Sequence, residues 1–143
     1  MDKYGIMFAQ VPIDNELLKA TAVPDDGVVI IFAVPSRPNS RVEALSVSLS
    51  YNIIPIDGTN AVTGDIVFHD ASADSDTVLA DDLDLKSTNT SLVANECFTL
   101  WAGVQSMEPG DTLRVPLTET DVDTAALGGL FTVAYRIKEW GGE

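Results

Sequence analysis

Apolar residues recur at every second position through the last third of the chain, which is the period of a half-buried β-strand. The pattern predicts two strands, residues 112–117 and 130–138, each preceded by a turn that contains glycine. An acidic, threonine-rich connection, residues 118–128, joins them. We expect this connection to be a surface loop, because its carboxylates would need partners if they were buried.

Further strand patterns alternate with turn residues along the rest of the chain. Residues 42–54 predict a strand with Leu45, Val47, Leu49 and Tyr51 on one face and serines on the other. The continuous apolar run VVIIFAV at residues 28–34 predicts a strand that is buried on both faces or central to a sheet. Residues 16–23 fit one helical turn or an edge strand, and the acidic stretch 70–95 is long enough to hold a strand of its own.

About eight strands, regular turns and no convincing helix predict an all-β fold, a single antiparallel β-sandwich that is jelly-roll-like. Residues 1–143 are expected to form one domain, because no repeat or linker divides them. Residues 1–9 allow two interpretations. They are either the first strand of the sheet or an N-terminal docking arm that binds a partner through Tyr4, Ile6, Met7 and Phe8.

The net charge of −14, from 22 acidic and 8 basic residues, limits the partners that the protein is expected to bind. Such a field repels phosphate, so neither nucleic acid nor an anionic membrane is an expected partner. The sequence has no signal-peptide pattern and no apolar stretch long enough for a membrane span, which predicts synthesis in a cytoplasm.

Few residues offer catalytic chemistry. His69 is the only histidine, and its neighbour Asp70 would point to the opposite face of a strand, so we assign no catalytic residues and expect no enzymatic activity. Cys97, the only cysteine, begins an apolar run and is expected to be a buried thiol.

Clustered acids suggest one metal site. Asp70, Asp74 and Asp76 are the best candidates for Ca²⁺ ligands, because this ion prefers several carboxylate oxygens. Their spacing differs from an EF-hand, and solvated surface charge is the more common explanation, so no cofactor is expected although Ca²⁺ stays open.

The segment PGDTLRVPLT at residues 109–118, followed by the strand at residues 129–137, resembles a strand pair in small β-sandwich structural proteins of tailed bacteriophages. The resemblance implies a virion component such as a head decoration (cement) protein, commonly a homotrimer. Such a protein would be synthesised in the host cytoplasm and would lie on the virion surface, bound to the lattice of the major capsid protein. It implies no catalytic residues.

Two functional hypotheses result. The first is a non-enzymatic virion structural protein, a capsid decoration protein that binds the outer capsid surface. The alternative is a carbohydrate-binding β-sandwich module that uses Tyr51 and Trp140 as exposed stacking aromatics and holds a structural Ca²⁺ within residues 70–84. Trp101, inside an apolar strand, is expected to belong to the core.

Overall fold

A computed structural model of the protein describes residues 5–12, 28–36, 38–54, 56–57, 63–117, 122–124 and 129–139. The strands in these ranges are β1 (Ile6–Pro12), β2 (Val28–Ala33), β3 (Arg41–Ser50), β4 (Ile56–Asp57), β5 (Thr63–Asp70), β6 (Ser75–Asp84), β7 (Phe98–Met107), β8 (Thr112–Pro116), β9 (Val122–Thr124) and β10 (Leu130–Glu139). None of these residues forms a helix, so none belongs to a helix that could span a membrane.

Eight of these strands build two antiparallel four-stranded sheets, sheet A in the order β1-β10-β3-β7 and sheet B in the order β2-β8-β5-β6. The pairs β1–β10, β2–β8, β3–β7 and β5–β6 are those of one long hairpin folded over onto itself. This is the arrangement of a jelly roll. The predicted all-β antiparallel sandwich is therefore confirmed, and β4 and β9 form a separate two-stranded ribbon.

The core lies between the two sheets and follows the alternation of the sequence. In β8 and β10 the predicted positions Leu113, Val115, Phe131 and Val133 are at most 1% exposed. In β3 the predicted alternation is wrong at one position. A register shift between Ala44 and Ser46 places the Ala44 side chain in the core and leaves Leu45, a predicted core residue, half-buried.

The prediction for residues 28–34 is wrong. Within the described residues, strand β2 is neither central nor covered on both faces but forms an edge of sheet B, pairing with β8. Ile31 is buried in the core, whereas Val28 is 40% exposed and Ile30 is 53% exposed. The apolar run is thus buried on one face and bare on the other.

Two long segments between the predicted strands contain strands of their own. The predicted loop 118–128 includes β9, which pairs with β4, and its remaining positions lie outside the described residues. The acidic stretch 70–95 contains β6, as its length suggested. The ambiguous segment 16–23 also lies outside the described residues.

The Pro-Gly-Asp turn joins β7 of sheet A to β8 of sheet B, and Asp111 fixes it. Gly110 has a φ of +88°, a conformation that favours glycine. The Asp111 carboxylate is 4% exposed. It accepts hydrogen bonds from the backbone N–H of Glu108 at 2.8 Å and from that of Ala71, in the β5–β6 turn, at 2.9 Å. The Asp111 carbonyl also accepts from the N–H of Val34, after β2, at 3.0 Å.

We expect Asp111→Asn to destabilise the fold. Each carboxylate oxygen accepts from a different backbone N–H, and an amide has only one acceptor oxygen, so one donor loses its partner. A buried donor without a partner costs about 1–3 kcal/mol. Chemical unfolding should show this loss, while Glu96→Gln, an exposed control, should change the free energy of unfolding by less than about 0.5 kcal/mol. Equal stabilities of the two variants would contradict the role of Asp111.

Candidate docking surface

Strand β1 forms one edge of sheet A and presents large apolar side chains to solvent. Ile6 is 60% exposed, Met7 36% and Phe8 68%. The strand pairs with β10 in unbroken register, and in the described part of the chain its other edge has no partner strand. We call β1 with these three side chains the open edge. Tyr4, the fourth predicted contact residue, lies outside the described residues.

The side chains of β1 divide between two faces. Met7, Ala9 and Val11 pair with Tyr135, Val133 and Phe131, which face the core. Ile6 and Phe8 pair with Arg136 and Ala134 and therefore lie on the outer face of sheet A. Arg136 donates from Nε to the Glu43 carboxylate at 2.7 Å, so the charge beside Ile6 is compensated.

The edge strand β2 lies beside β1 on the same side of the sandwich. Five of the nine exposed large apolar side chains among the described residues belong to these two strands: Ile6, Met7, Phe8, Val28 and Ile30. Edge strands in soluble proteins are commonly protected by charge or by bulges. Strand β6 follows this rule, with four aspartates and a positive φ at Asp82. Strand β1 has neither protection, since it carries no charged residue and no register shift.

A recess of about 190 Å³ opens between the sheets near this side. Phe32 of β2 and Tyr135 of β10 pack across it, with ring centroids 4.7 Å apart and an angle of 45° between the ring planes. Its wall is completed by Ala33, Val34, Pro35, Val42 and Ile137. These side chains are apolar, so the recess extends the apolar character of the side formed by β1 and β2.

The three predicted metal ligands are not brought together around one point. The Asp70 carboxylate caps the β5–β6 turn by accepting from Ser72 and from the N–H of Ala73, and the hydrogen bond from the Ser72 hydroxyl lowers the pKa of Asp70. Asp76 and Asp74 face His69 instead. Their oxygens lie 2.6 Å from Nδ1 and 3.5 Å from Nε2 of the imidazole.

Within the described residues, a different trio of carboxylates converges. Oxygens of Asp65, Asp81 and Asp82 lie within 4.8 Å of one another. The Asp82 charge raises the pKa of Asp81. Asp65 could not be assigned to this group from the sequence, because β-pairing rather than sequence distance brings it to the β6 edge. Calcium binding stays a prediction, and titration of the protein with Ca²⁺ in a calorimeter would test it.

Two further residues, Tyr51 and Cys97, differ from their predicted environments, whereas Trp101 packs against the core as predicted. Tyr51 is 2% exposed, so it is no sugar-stacking platform, and its hydroxyl donates to the Leu85 carbonyl at 3.0 Å. Cys97, predicted to be buried, is exposed because it precedes β7 rather than lying within it. Trp101 is half-buried and packs against the core, with its ring over Gly103. Trp140 lies outside the described residues.

Comparison with known proteins adds a structural likeness. No protein-family model matches the chain, and no curated protein sequence matches it. The fold is similar to that of a chain in the acidic stable capsid structure of Helicobacter pylori bacteriophage KHP30, with a TM-score of 0.59 and 16% sequence identity over 94% of this chain and 89% of that chain. At this identity the likeness establishes the fold, an all-β sandwich found in a viral capsid.

A second match is too distant to support an argument. A chain in the structure of infectious bursal disease virus Gt strain aligns with 98% of this chain and 39% of that chain, with a TM-score of 0.36 and 10% identity.

We expect Tyr51→Phe to lower stability by about 1 kcal/mol, because the Leu85 carbonyl loses its donor. Burial, and then the Asp84 charge, raise the pKa of Tyr51 above the usual tyrosine value of about 10. The folded state therefore favours the neutral phenol, and this contribution to stability is lost as the pH rises above about 10. The free energy of unfolding should thus fall less steeply above that pH in Tyr51→Phe than in the wild type. Parallel profiles would contradict this role.

Proposed function

We propose that this protein is a non-enzymatic structural component of a virion, which decorates the outer surface of a capsid and docks on the capsid lattice protein through the open edge. The observation that carries the proposal is the open edge itself, an uncharged apolar edge strand on a chain with a net charge of −14. The fold likeness to a chain of a phage capsid structure over 94% of the sequence supports the same function.

The chemistry of the open edge suits the addition of one strand. The side of β1 that has no partner among the described residues offers backbone N–H and C=O groups to an extended segment of a partner, and these main-chain hydrogen bonds would supply affinity. Ile6 and Phe8, at alternate positions on one face, would supply apolar contact. Burying each of these side chains is worth about 1.5–3 kcal/mol. The contact is small, so binding would depend on many copies acting over a repeating lattice.

The proposal also covers assembly and location. The protein associates with itself, as a homotrimer, and takes its place on the virion surface after synthesis in the host cytoplasm. Three linked copies hold three open edges at fixed separations, and simultaneous binding raises the effective affinity without new contacts. The charge of −14 disfavours packaged nucleic acid as a partner and favours an outer position.

Capsid binding by a variant of the open edge tests the proposal. Phe8→Ser removes the most exposed apolar side chain of β1, which is 68% exposed, and the matched control Val104→Ser changes a side chain that is 61% exposed on β7. Co-sedimentation with undecorated capsids should show binding that is weaker by about 10- to 100-fold for Phe8→Ser, since about 1.4 kcal/mol corresponds to tenfold. The control should bind like the wild type.

The outcomes separate the possibilities clearly. Wild-type protein that does not sediment with capsids of its own virus would refute the proposed function. Equal losses in Phe8→Ser and Val104→Ser would refute the open edge as the docking element.

A further inference from the structure

The outer face of sheet B carries a second group of apolar side chains, distinct from the open edge. Residues that are paired across adjacent strands place their side chains on one face. Ile30 pairs with Arg114, Arg114 with Val67, and Val67 with Val78. This row crosses all four strands, and Val28 and Pro116 form a second pair beside it. We call the five apolar residues of this face, Val28, Ile30, Val67, Val78 and Pro116, the apolar strip.

Val67 shows how the strip is packed. It is 6% exposed but does not belong to the core cluster between the sheets, because its strand neighbours Ile66 and Phe68 take the inward positions. Its burial therefore comes from side chains on the outer face. Val78 beside it is 53% exposed, and so is Ile30. The strip thus has a covered middle and exposed ends.

The opposite outer face provides an internal comparison. On sheet A the outward positions of the inner strand β3 are Ser46, Ser48 and Ser50, the polar-out pattern of a strand that faces water, and the exposed Ile6 and Phe8 of this face belong to the edge strand β1. Sheet B breaks this pattern. The run VVIIFAV has the composition of a strand that is buried on both sides, yet the described part of the chain covers only one side of β2. A second molecule would complete the burial that this composition indicates.

Charges on this face favour a copy of the same chain as that second molecule. Arg114 lies in the middle of the row, and Asp76 lies beside it in a shallow recess of about 110 Å³. Both signs are present on one patch, so neighbouring copies in a trimer can bring Arg114 of one toward Asp76 of the next, whose carboxylate also contacts His69. A uniformly acidic patch would oppose such a contact, because each copy carries a net charge of −14.

The size of the face sets the strength of the contact. Four strands about 4.8 Å apart give a width of about 19 Å, and six residues at about 3.3 Å each give a length of about 20 Å. Each copy would thus bury roughly 400 Å², which falls in the range of weak, reversible association rather than of permanent complexes.

We propose that the apolar strip on the outer face of sheet B is the surface through which copies of this chain associate with one another. The inference rests on the self-association in the proposed function and assigns it a surface that is separate from the open edge. The open edge then remains available to the capsid lattice while the copies are joined.

Sedimentation equilibrium over a concentration series tests the inference. The double variant Ile30→Ser/Val78→Ser removes the two exposed ends of the strip. Its matched control, Val93→Ser/Val104→Ser, removes two side chains off the strip with similar exposure, 49% and 61%. We expect the wild type and the control to associate at about 100 μM, and the strip variant to associate at least about tenfold more weakly. Raising the salt concentration should strengthen association, because it screens the repulsion between acidic copies.

Each remaining outcome is informative. A monomeric wild type at that concentration, or equal weakening of the strip variant and the control, would overturn the inference. A strip variant that associates normally but loses capsid binding would overturn it too, and would assign the strip to the capsid. Phe8→Ser should still associate. If Phe8→Ser associates but wild-type protein does not bind capsids, the proposed function fails and the assigned surface stands.

Discussion

The crossing from sheet A to sheet B at the Pro-Gly-Asp turn is the constraint on which the arrangement of the two sheets depends. The buried Asp111 carboxylate ties that turn to the β5–β6 turn, and the Asp111 carbonyl ties it to the end of β2. Three segments far apart in sequence thus meet at one residue. In the same sandwich β1 and β2 are the edge strands on one side, and their exposed apolar side chains lie on the outer faces of sheet A and sheet B respectively.

Local sequence predicted the strands in which one face is buried and the other is exposed to solvent. Strands β8 and β10 could be predicted because every second residue is apolar, and the register is strongly specified by such a pattern. The position of Leu45 could not be predicted, since a register shift inside β3 exchanges the two faces and depends on pairing with β7. The alternation of β3 placed Tyr51 correctly on the face of Val47 and Leu49, whereas its use as an exposed aromatic was wrong, and Cys97 was wrongly assigned to the core from the apolar run that it begins.

The candidate surfaces differ in how much the sequence revealed about them. The open edge was predictable as an apolar segment near the N-terminus, although its unpaired side follows from the strand order. The apolar strip was not predictable, because its members come from β2, β5, β6 and β8 and meet only through pairing. The wrong prediction for β2 had a related origin, since its position at the edge of sheet B also follows only from strand pairing. Its composition indicated two buried faces, but composition cannot say whether the second cover belongs to the same chain.

The distribution of charge reconciles high acidity with two apolar surfaces. Strand β6 concentrates aspartates at the edge of sheet B that lies opposite β2, while β1 carries no charge. Long-range repulsion between molecules with a charge of −14 therefore opposes random association, and short-range apolar contact acts only where the carboxylates are sparse. Repulsion between charges more than about 8–10 Å apart is screened at physiological salt while apolar contact is not, so association depends on the surfaces where carboxylates are sparse.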